Sequence, residues 1–171
     1  NPFWNNFSAL NNYVTRTQSF LQLGKPDNDV LLYFPIYDKY SEPARDLLLH
    51  FDGMKPDFNG TPFEKSATMM QENGYAFDYI SDRQILQLKT ANKKIITGGT
   101  SYQTIVLPDA KFMKLETLQH LMELAKNGAT IIAYKNLPSD VPGYGQLDKN
   151  LAAFKSLLSQ LNFQFIDGVP D

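Results

Sequence analysis

Short continuous apolar runs mark the predicted strands of this chain. They lie at 30–34, 105–107 and 130–133, and turn-forming residues bound them. Apolar runs without polar alternation are typical of strands that are covered on both faces, as in parallel sheets. We therefore predict that these three segments are adjacent or near-adjacent parallel strands, buried on both faces. Weaker strand patterns occur at 75–80 and 163–166.

A second pattern, with apolar residues three and four positions apart, predicts amphipathic helices. The first helix ends before Gly24 and Pro26, and because several Asn residues lie off its apolar face, packing rather than propensity is expected to stabilise it. The apolar faces of the three long helices comprise Phe3, Phe7, Leu10, Val14, Thr17 and Leu21; Leu115, Leu118, Met122 and Ala125; and Leu147, Leu151, Phe154, Leu158 and Leu161.

Polar residues at the helix starts predict two capping boxes. Thr61, followed by Pro62 and Glu64, opens a helix that is expected to reach Glu72, and Ser81 opens a short helix to about residue 88. A Gly pair at 98–99 between two apolar runs predicts a hairpin. The segment 37–60 is interpreted as an excursion from the sheet edge, with a short helix at 43–51.

The alternation of strands and helices predicts an α/β domain with a mostly parallel sheet, in a flavodoxin-like three-layer sandwich. A single domain is expected over residues 1–171. The leading helix occupies 1–26, and the sheet with its covering helices occupies 27–171. The absence of an initiator Met and of a signal peptide suggests a fragment of a longer protein.

Composition excludes several classes of function. The chain is 43% hydrophobic, which favours a globular domain, and its net charge of −2 argues against a nucleic-acid partner. No apolar run is long enough to span a membrane. Cysteine is absent, which removes thiolate metal sites and thiol nucleophiles.

The motifs that usually carry chemistry are incomplete. The Gly pair is followed by a strand rather than a helix, so it does not predict a phosphate loop. Neither Ser81 nor Ser101 lies in a nucleophile elbow. The two histidines, His50 and His120, are far apart, and His120 is expected to be solvated. We predict no catalytic residue, no metal site and no cofactor.

One loop carries oxygen ligands that could bind calcium. Asp52, Asp57 and Asn59 lie close together in it, but their spacing is not that of an EF-hand. A turn-rich surface loop explains these residues better.

Acidic and aromatic residues cluster after the predicted strands. Asp38, Asp109 and Asp140 could share the rim where parallel strands end, which is the usual ligand position in open α/β sheets. The tyrosines predicted near this rim could stack on a sugar or fill a domain interface, and we favour the interface. Candidate binding residues are Tyr37, Asp38, Tyr102 and Asp109; Tyr40 and Tyr144 are further tyrosines predicted near the rim.

The order of motifs resembles the middle region of glycoside hydrolase family 106, the α-L-rhamnosidases and their bacterial relatives. A helix ending in LGKP precedes a strand ending in Pro, and the segments GYAFDYI and YQTIVLP follow. More distantly, the chain resembles the family 42 β-galactosidase trimerisation domain and the class I glutamine amidotransferase fold without its catalytic cysteine. The matching residues are Arg16, Leu21, Gly24, Lys25, Pro26, Pro35, Gly74, Tyr75, Phe77, Asp78, Tyr79, Ile80, Tyr102, Val106, Leu107 and Pro108.

This resemblance implies that the parent protein is a periplasmic or extracellular bacterial glycosidase whose catalytic carboxylates lie on a (β/α)₈ barrel outside these residues. The chain itself would be a non-catalytic accessory domain. Its partners would be the neighbouring catalytic domain and carbohydrate. The alternative is a free-standing carbohydrate-binding or sensor module.

Overall fold

The computed structural model describes residues 2–41, 58–160 and 165–166, with side chains from residue 4 to 160 within those ranges. A 3₁₀ helix, Pro2–Asn6, leads into α1. The remaining helices and strands are α1 (Phe7–Leu23), β1 (Val30–Tyr33), α2 (Ile36–Ser41), α3 (Pro62–Glu72), β2 (Phe77–Ile80), α4 (Asp82–Ile85), β3 (Lys89–Ala91), β4 (Lys94–Thr97), β5 (Thr100–Tyr102), β6 (Thr104–Leu107), α5 (Leu115–Lys126), β7 (Thr130–Tyr134), α6 (Leu147–Leu158) and β8 (Phe165–Ile166).

The main sheet has the strand order β2-β1-β6-β7-β8, and each neighbouring pair is parallel. The predicted strands at 30–34, 105–107 and 130–133 correspond to β1, β6 and β7, which are adjacent, so this part of the prediction is confirmed. A second sheet, β3-β4-β5, is antiparallel and contains the predicted hairpin at Gly98-Gly99. The chain is thus mixed α/β with a parallel central sheet.

The expectation that all three strands are buried on both faces is only partly correct. Leu31, Leu32 and Tyr33 of β1 are buried, but burial alternates along β6 and β7. Val106 and Ile132 are half-buried and line a cavity of about 260 Å³ with Met69 and Met70 of α3. Helix α3 therefore leaves the second face of β6 and β7 only partly covered.

The larger core lies on the other face of the sheet. Side chains of α4, α5, α6 and the hairpin pack there against β1, β6 and β7. In α5 the predicted inward residues Leu118 and Met122 are buried, and so are Leu121 and Leu124, which widen the apolar face beyond the prediction. The smaller core is centred on Leu32, Phe63 and Met70.

Helix α1 ends at Leu23, before Gly24, as its sequence predicts. Within the part of the chain that the structure describes, every residue of α1 is exposed, so the packing expected to stabilise this helix is not found there. Its predicted apolar stripe includes Leu10, Val14 and Leu21, which are 40% to 75% exposed. A helix of this length with an uncovered apolar stripe is marginally stable in water on its own.

The predicted capping box at Thr61 forms with one difference. The Thr61 hydroxyl accepts a hydrogen bond from the Glu64 amide at 3.3 Å. The Glu64 carboxylate reaches back to the amide of Gly60 rather than to that of Thr61, which donates to the Phe58 carbonyl instead. At Ser81 the box is as predicted, since its amide donates to the Gln84 side chain at 3.0 Å.

Two short elements were not predicted. Helix α2 lies at the start of the segment interpreted as an excursion, and β3 is a three-residue edge strand. The helix expected at 43–51 lies outside the described residues. Among the helices that the structure describes, none combines the length and apolar character required to cross a membrane.

Candidate functional site

The carboxyl ends of the parallel strands form a rim to which α2 and the loops after β6 and β7 belong. The strand order reverses between β1 and β6, and crevices at such switch points are the usual ligand sites of open α/β sheets. Asp38 lies on α2, Asp109 follows β6, and Asp140 lies in the loop after β7. The three aspartates therefore lie at the same rim of the sheet.

Asp38 joins α2 to the loop after β6. Its two carboxylate oxygens accept hydrogen bonds from the backbone amides of Lys111 and Phe112, both at 2.8 Å. Charge-assisted bonds of this kind are stronger than neutral ones. The Asp38 carboxylate thus holds the loop that follows Pro108.

The other two aspartates also bond within the chain. Asp140 accepts a hydrogen bond from the Val141 amide at 2.8 Å, and its carboxylate is 4.0 Å from the Lys111 ammonium. Asp109 accepts one from the Asn136 side chain at 3.2 Å. Backbone bonds from Ser139 and Asp140 to the Lys111 carbonyl join the loops after β6 and β7. The rim is therefore a cross-linked surface.

An open cavity of about 670 Å³, here called the rim cavity, lies between α2, the loop after β6 and the start of α6. Tyr40 and Tyr144 are 74% and 95% exposed, whereas Tyr37 is half-buried. Three of the four predicted tyrosines thus come together. The lining residues are Tyr37, Tyr40, Ser41, Phe112, Lys114, Asp140, Val141, Pro142, Gly143, Tyr144 and Leu147.

Lys114 supplies the positive charge of the rim cavity. Its ammonium lies 5.7 Å from the centre of the Tyr37 ring and 3.4 Å from the Glu116 carboxylate. The hydrogen bond with Tyr37 raises the pKa of Lys114, and Glu116 adds to the effect. Lys114 is therefore fully protonated at neutral pH, as a donor to a ligand would need to be.

Tyr102 does not belong to the rim, contrary to the sequence prediction. It precedes β6, so its backbone lies at the amino end of that strand, opposite to the rim. Its ring is buried, and its hydroxyl donates to Asp78 on β2 at 2.7 Å. Burial and this bond raise the pKa of Tyr102 to about 12. Tyr102 thus joins the hairpin to the main sheet, away from the rim.

A buried polar cluster near the carboxyl ends of β1 and β2 escaped prediction. The Asp82 carboxylate accepts hydrogen bonds from the Thr117 hydroxyl at 2.6 Å and from the Tyr33 hydroxyl at 3.1 Å. Burial raises the pKa of Tyr33, and Asp82 raises it further. Tyr33 lies on β1, Asp82 at the start of α4 and Thr117 on α5. No local spacing in the sequence could therefore have indicated that their side chains are in contact.

The remaining candidates carry no recognisable chemistry. His120 is half-buried rather than solvated: its Nε2 lies 3.0 Å from the Leu88 carbonyl and its Nδ1 lies 3.5 Å from Glu123. The histidine thus links α5 to the loop before β3. Residues 2–41, 58–160 and 165–166 contain no group of three potential metal ligands. His50, Asp52 and Asp57 lie outside the described residues.

Comparison with known proteins shows similarity to glycosidases in sequence and in structure. The family model for alpha-L-rhamnosidase, glycoside hydrolase family 106, matches residues 1–166. A protein named "Putative beta-glucuronidase" from Formosa agariphila is 30% identical over 136 residues, which are 79% of this chain and 10% of that protein. The crystal structure of a beta-galactosidase from Bifidobacterium adolescentis aligns with 77% of this chain and 53% of its own, at 14% identity and a TM-score of 0.44.

The chain therefore spans about a tenth of the length of the curated relative. The family model, in contrast, matches nearly all of this chain, including its LGKP, GYAFDYI and YQTIVLP segments. By that match, the chain belongs to glycoside hydrolase family 106, the alpha-L-rhamnosidase family.

Proposed function

We propose that this chain is a non-catalytic accessory α/β domain of a secreted bacterial glycosidase and that it packs beside a catalytic barrel encoded by the same gene. Family membership supports a role in glycoside hydrolysis. Each of the three rim aspartates bonds to groups within the chain, which supports a structural task for them. Glycoside hydrolysis commonly uses two carboxyl groups that face one bond.

The exposed apolar stripe of α1 is the observation that carries this proposal. Leu10, Val14 and Leu21 face one side of a 17-residue helix without covering groups from the described chain. Contiguous apolar patches on an exposed surface usually mark interaction sites. The Asn, Gln and Ser residues of α1 lie off this stripe, and they are exposed as well. We therefore assign the neighbouring domain to this surface rather than to the rim tyrosines.

The strand order supports a finer description of the fold. Counted along the chain, the five strands of the main sheet have the order 2-1-3-4-5, which is that of flavodoxin-like folds. We propose on this basis that the domain is a three-layer sandwich of that kind. The class I glutamine amidotransferase-like description belongs to the same proposal.

The experiment compares the full-length gene product with two variants of α1. The double variant Leu10→Ser and Leu21→Ser removes apolar groups from the stripe. The control, Asn12→Ser and Gln22→Ser, changes the polar side of the same helix. We expect only the stripe variant to lower the thermal unfolding midpoint of the full-length protein. It should also make residues 24–29, which connect α1 to β1, susceptible to protease cleavage.

In the 171-residue chain alone, neither double variant should change the unfolding of the core, since α1 buries no side chain against it. Equal behaviour of the stripe and control variants in the full-length protein would contradict the proposal.

A further inference from the structure

We propose that the rim cavity binds a pyranose oligosaccharide without cleaving it, as a substrate subsite that this domain adds to the parent glycosidase. The proposal rests on the glycosidase-associated function above. It assigns the rim tyrosines to sugar binding rather than to the domain interface favoured from the sequence. The apolar stripe of α1, rather than the rim, then carries the interface.

Two aromatic side chains at the mouth of the cavity provide stacking surfaces. Tyr40 extends from the last turn of α2, and Tyr144 lies between Gly143 and Gly145 at the tip of the loop before α6. Both rings are largely exposed to solvent, at 74% and 95%. An aromatic ring with one polar end suits a ligand that has both apolar C–H faces and hydroxyl groups, as a pyranose has.

Polar groups with defined partners lie deeper in the cavity. The Lys114 ammonium can donate to a hydroxyl or ring oxygen while it contacts Tyr37 and Glu116. The Asp140 carboxylate, which already binds the Val141 amide, has acceptor capacity for a hydroxyl donor. Donors and acceptors close to stacking rings are typical of small-molecule sites, and the volume of about 670 Å³ falls within their usual range.

The walls of the cavity are held in position before any ligand arrives. Asp38 fixes Lys111 and Phe112 against α2, and the loop after β7 is bonded to the Lys111 carbonyl. Met113 donates its amide to the Asp140 carbonyl at 3.1 Å. Preformed walls reduce the ordering cost of binding.

Calorimetric titration of the 171-residue chain with an oligosaccharide of α-L-rhamnose tests this proposal. We expect saturable binding that Tyr144→Ala and Tyr40→Ala each weaken about tenfold, the loss of one stacking contact. Both residues are exposed, so truncation leaves the core intact. The matched control is Tyr75→Ala, because Tyr75 is 56% exposed and lines the cavity beside α3 instead.

The NMR signals of the backbone amides provide a second measurement on the same samples. Those of Gly143 and Gly145 should shift on titration, whereas Gly74 should not. Absence of binding, or equal weakening by Tyr75→Ala and Tyr144→Ala, would overturn the subsite. Hydrolysis of an aryl glycoside by the chain would instead overturn the non-catalytic role, so the two failures are distinguishable.

Discussion

At the scale of single residues, acidic side chains in this domain serve mainly as acceptors for the chain's own donors. Asp38 accepts two backbone amides, Asp78 accepts the Tyr102 hydroxyl and the Asn28 amide group, and Asp82 accepts two hydroxyls. The sequence identifies such residues as candidates for chemistry because the same carboxylates could serve a substrate. Whether a carboxylate binds a substrate or stabilises the fold depends on hydrogen-bond donors that are distant in sequence.

Thr61 gives the simplest test of local stabilisation. Its hydroxyl accepts the Glu64 amide at the start of α3, and Thr61→Ala removes this acceptor. We expect a loss of about 1 kcal/mol in the free energy of unfolding, measured by urea denaturation. Thr68→Ala, at an exposed position of the same helix, is the control and should change stability much less. Equal losses would mean that the cap contributes nothing.

The buried cluster around Asp82 allows a sharper comparison. Thr117→Val keeps the shape of the side chain but removes a donor from a buried carboxylate, which should cost about 2 kcal/mol. Thr90→Val is the matched control, because no described group hydrogen-bonds to the buried Thr90 hydroxyl. That change should be neutral or stabilising. If Thr117→Val leaves the free energy of unfolding unchanged, the hydrogen bond from the Tyr33 hydroxyl alone satisfies the Asp82 carboxylate.

At the scale of elements, the sequence predicts the long and strongly patterned segments well. The apolar runs predict β1, β6 and β7, and the period of 3.6 residues predicts α1, α5 and α6. Helix α2 has only six residues, too few for a period to show, and β3 is short and polar. The placement of Tyr102 at the rim was wrong although the order of the chain contradicts it, because a residue that directly precedes a parallel strand lies at the amino end of that strand, opposite to the rim.

The end of α3 depends on a backbone conformation that favours glycine. Gly74 has φ of +76°, and no atom lies within 4 Å of a Cβ added there. Gly74→Ala should therefore cost about 1 kcal/mol through backbone strain alone. Gly145→Ala is the control, since the space at Gly145 is also open and its φ is not positive. Similar unfolding midpoints for the two variants would contradict a left-handed cap.

At the scale of the whole molecule, the 171-residue chain should hydrolyse no aryl glycoside, including an aryl α-L-rhamnoside. Each rim aspartate is bonded within the chain, whereas glycoside hydrolysis commonly uses two carboxyl groups that flank the scissile bond. The measurement is release of the aryl group by purified chain, beside the full-length gene product. Turnover by the chain that is abolished by Asp38→Asn or Asp109→Asn would make the rim an active site.

The position of β1 between β2 and β6 in the sheet has a consequence for synthesis on the ribosome. β1 pairs on one side with β2 and on the other with β6, both of which are translated dozens of residues later. Its apolar run therefore leaves the exit tunnel without either partner. Pairing on both sides becomes possible only after Leu107 has emerged, and until then the nascent chain presents an unpaired apolar strand of the kind that chaperones bind.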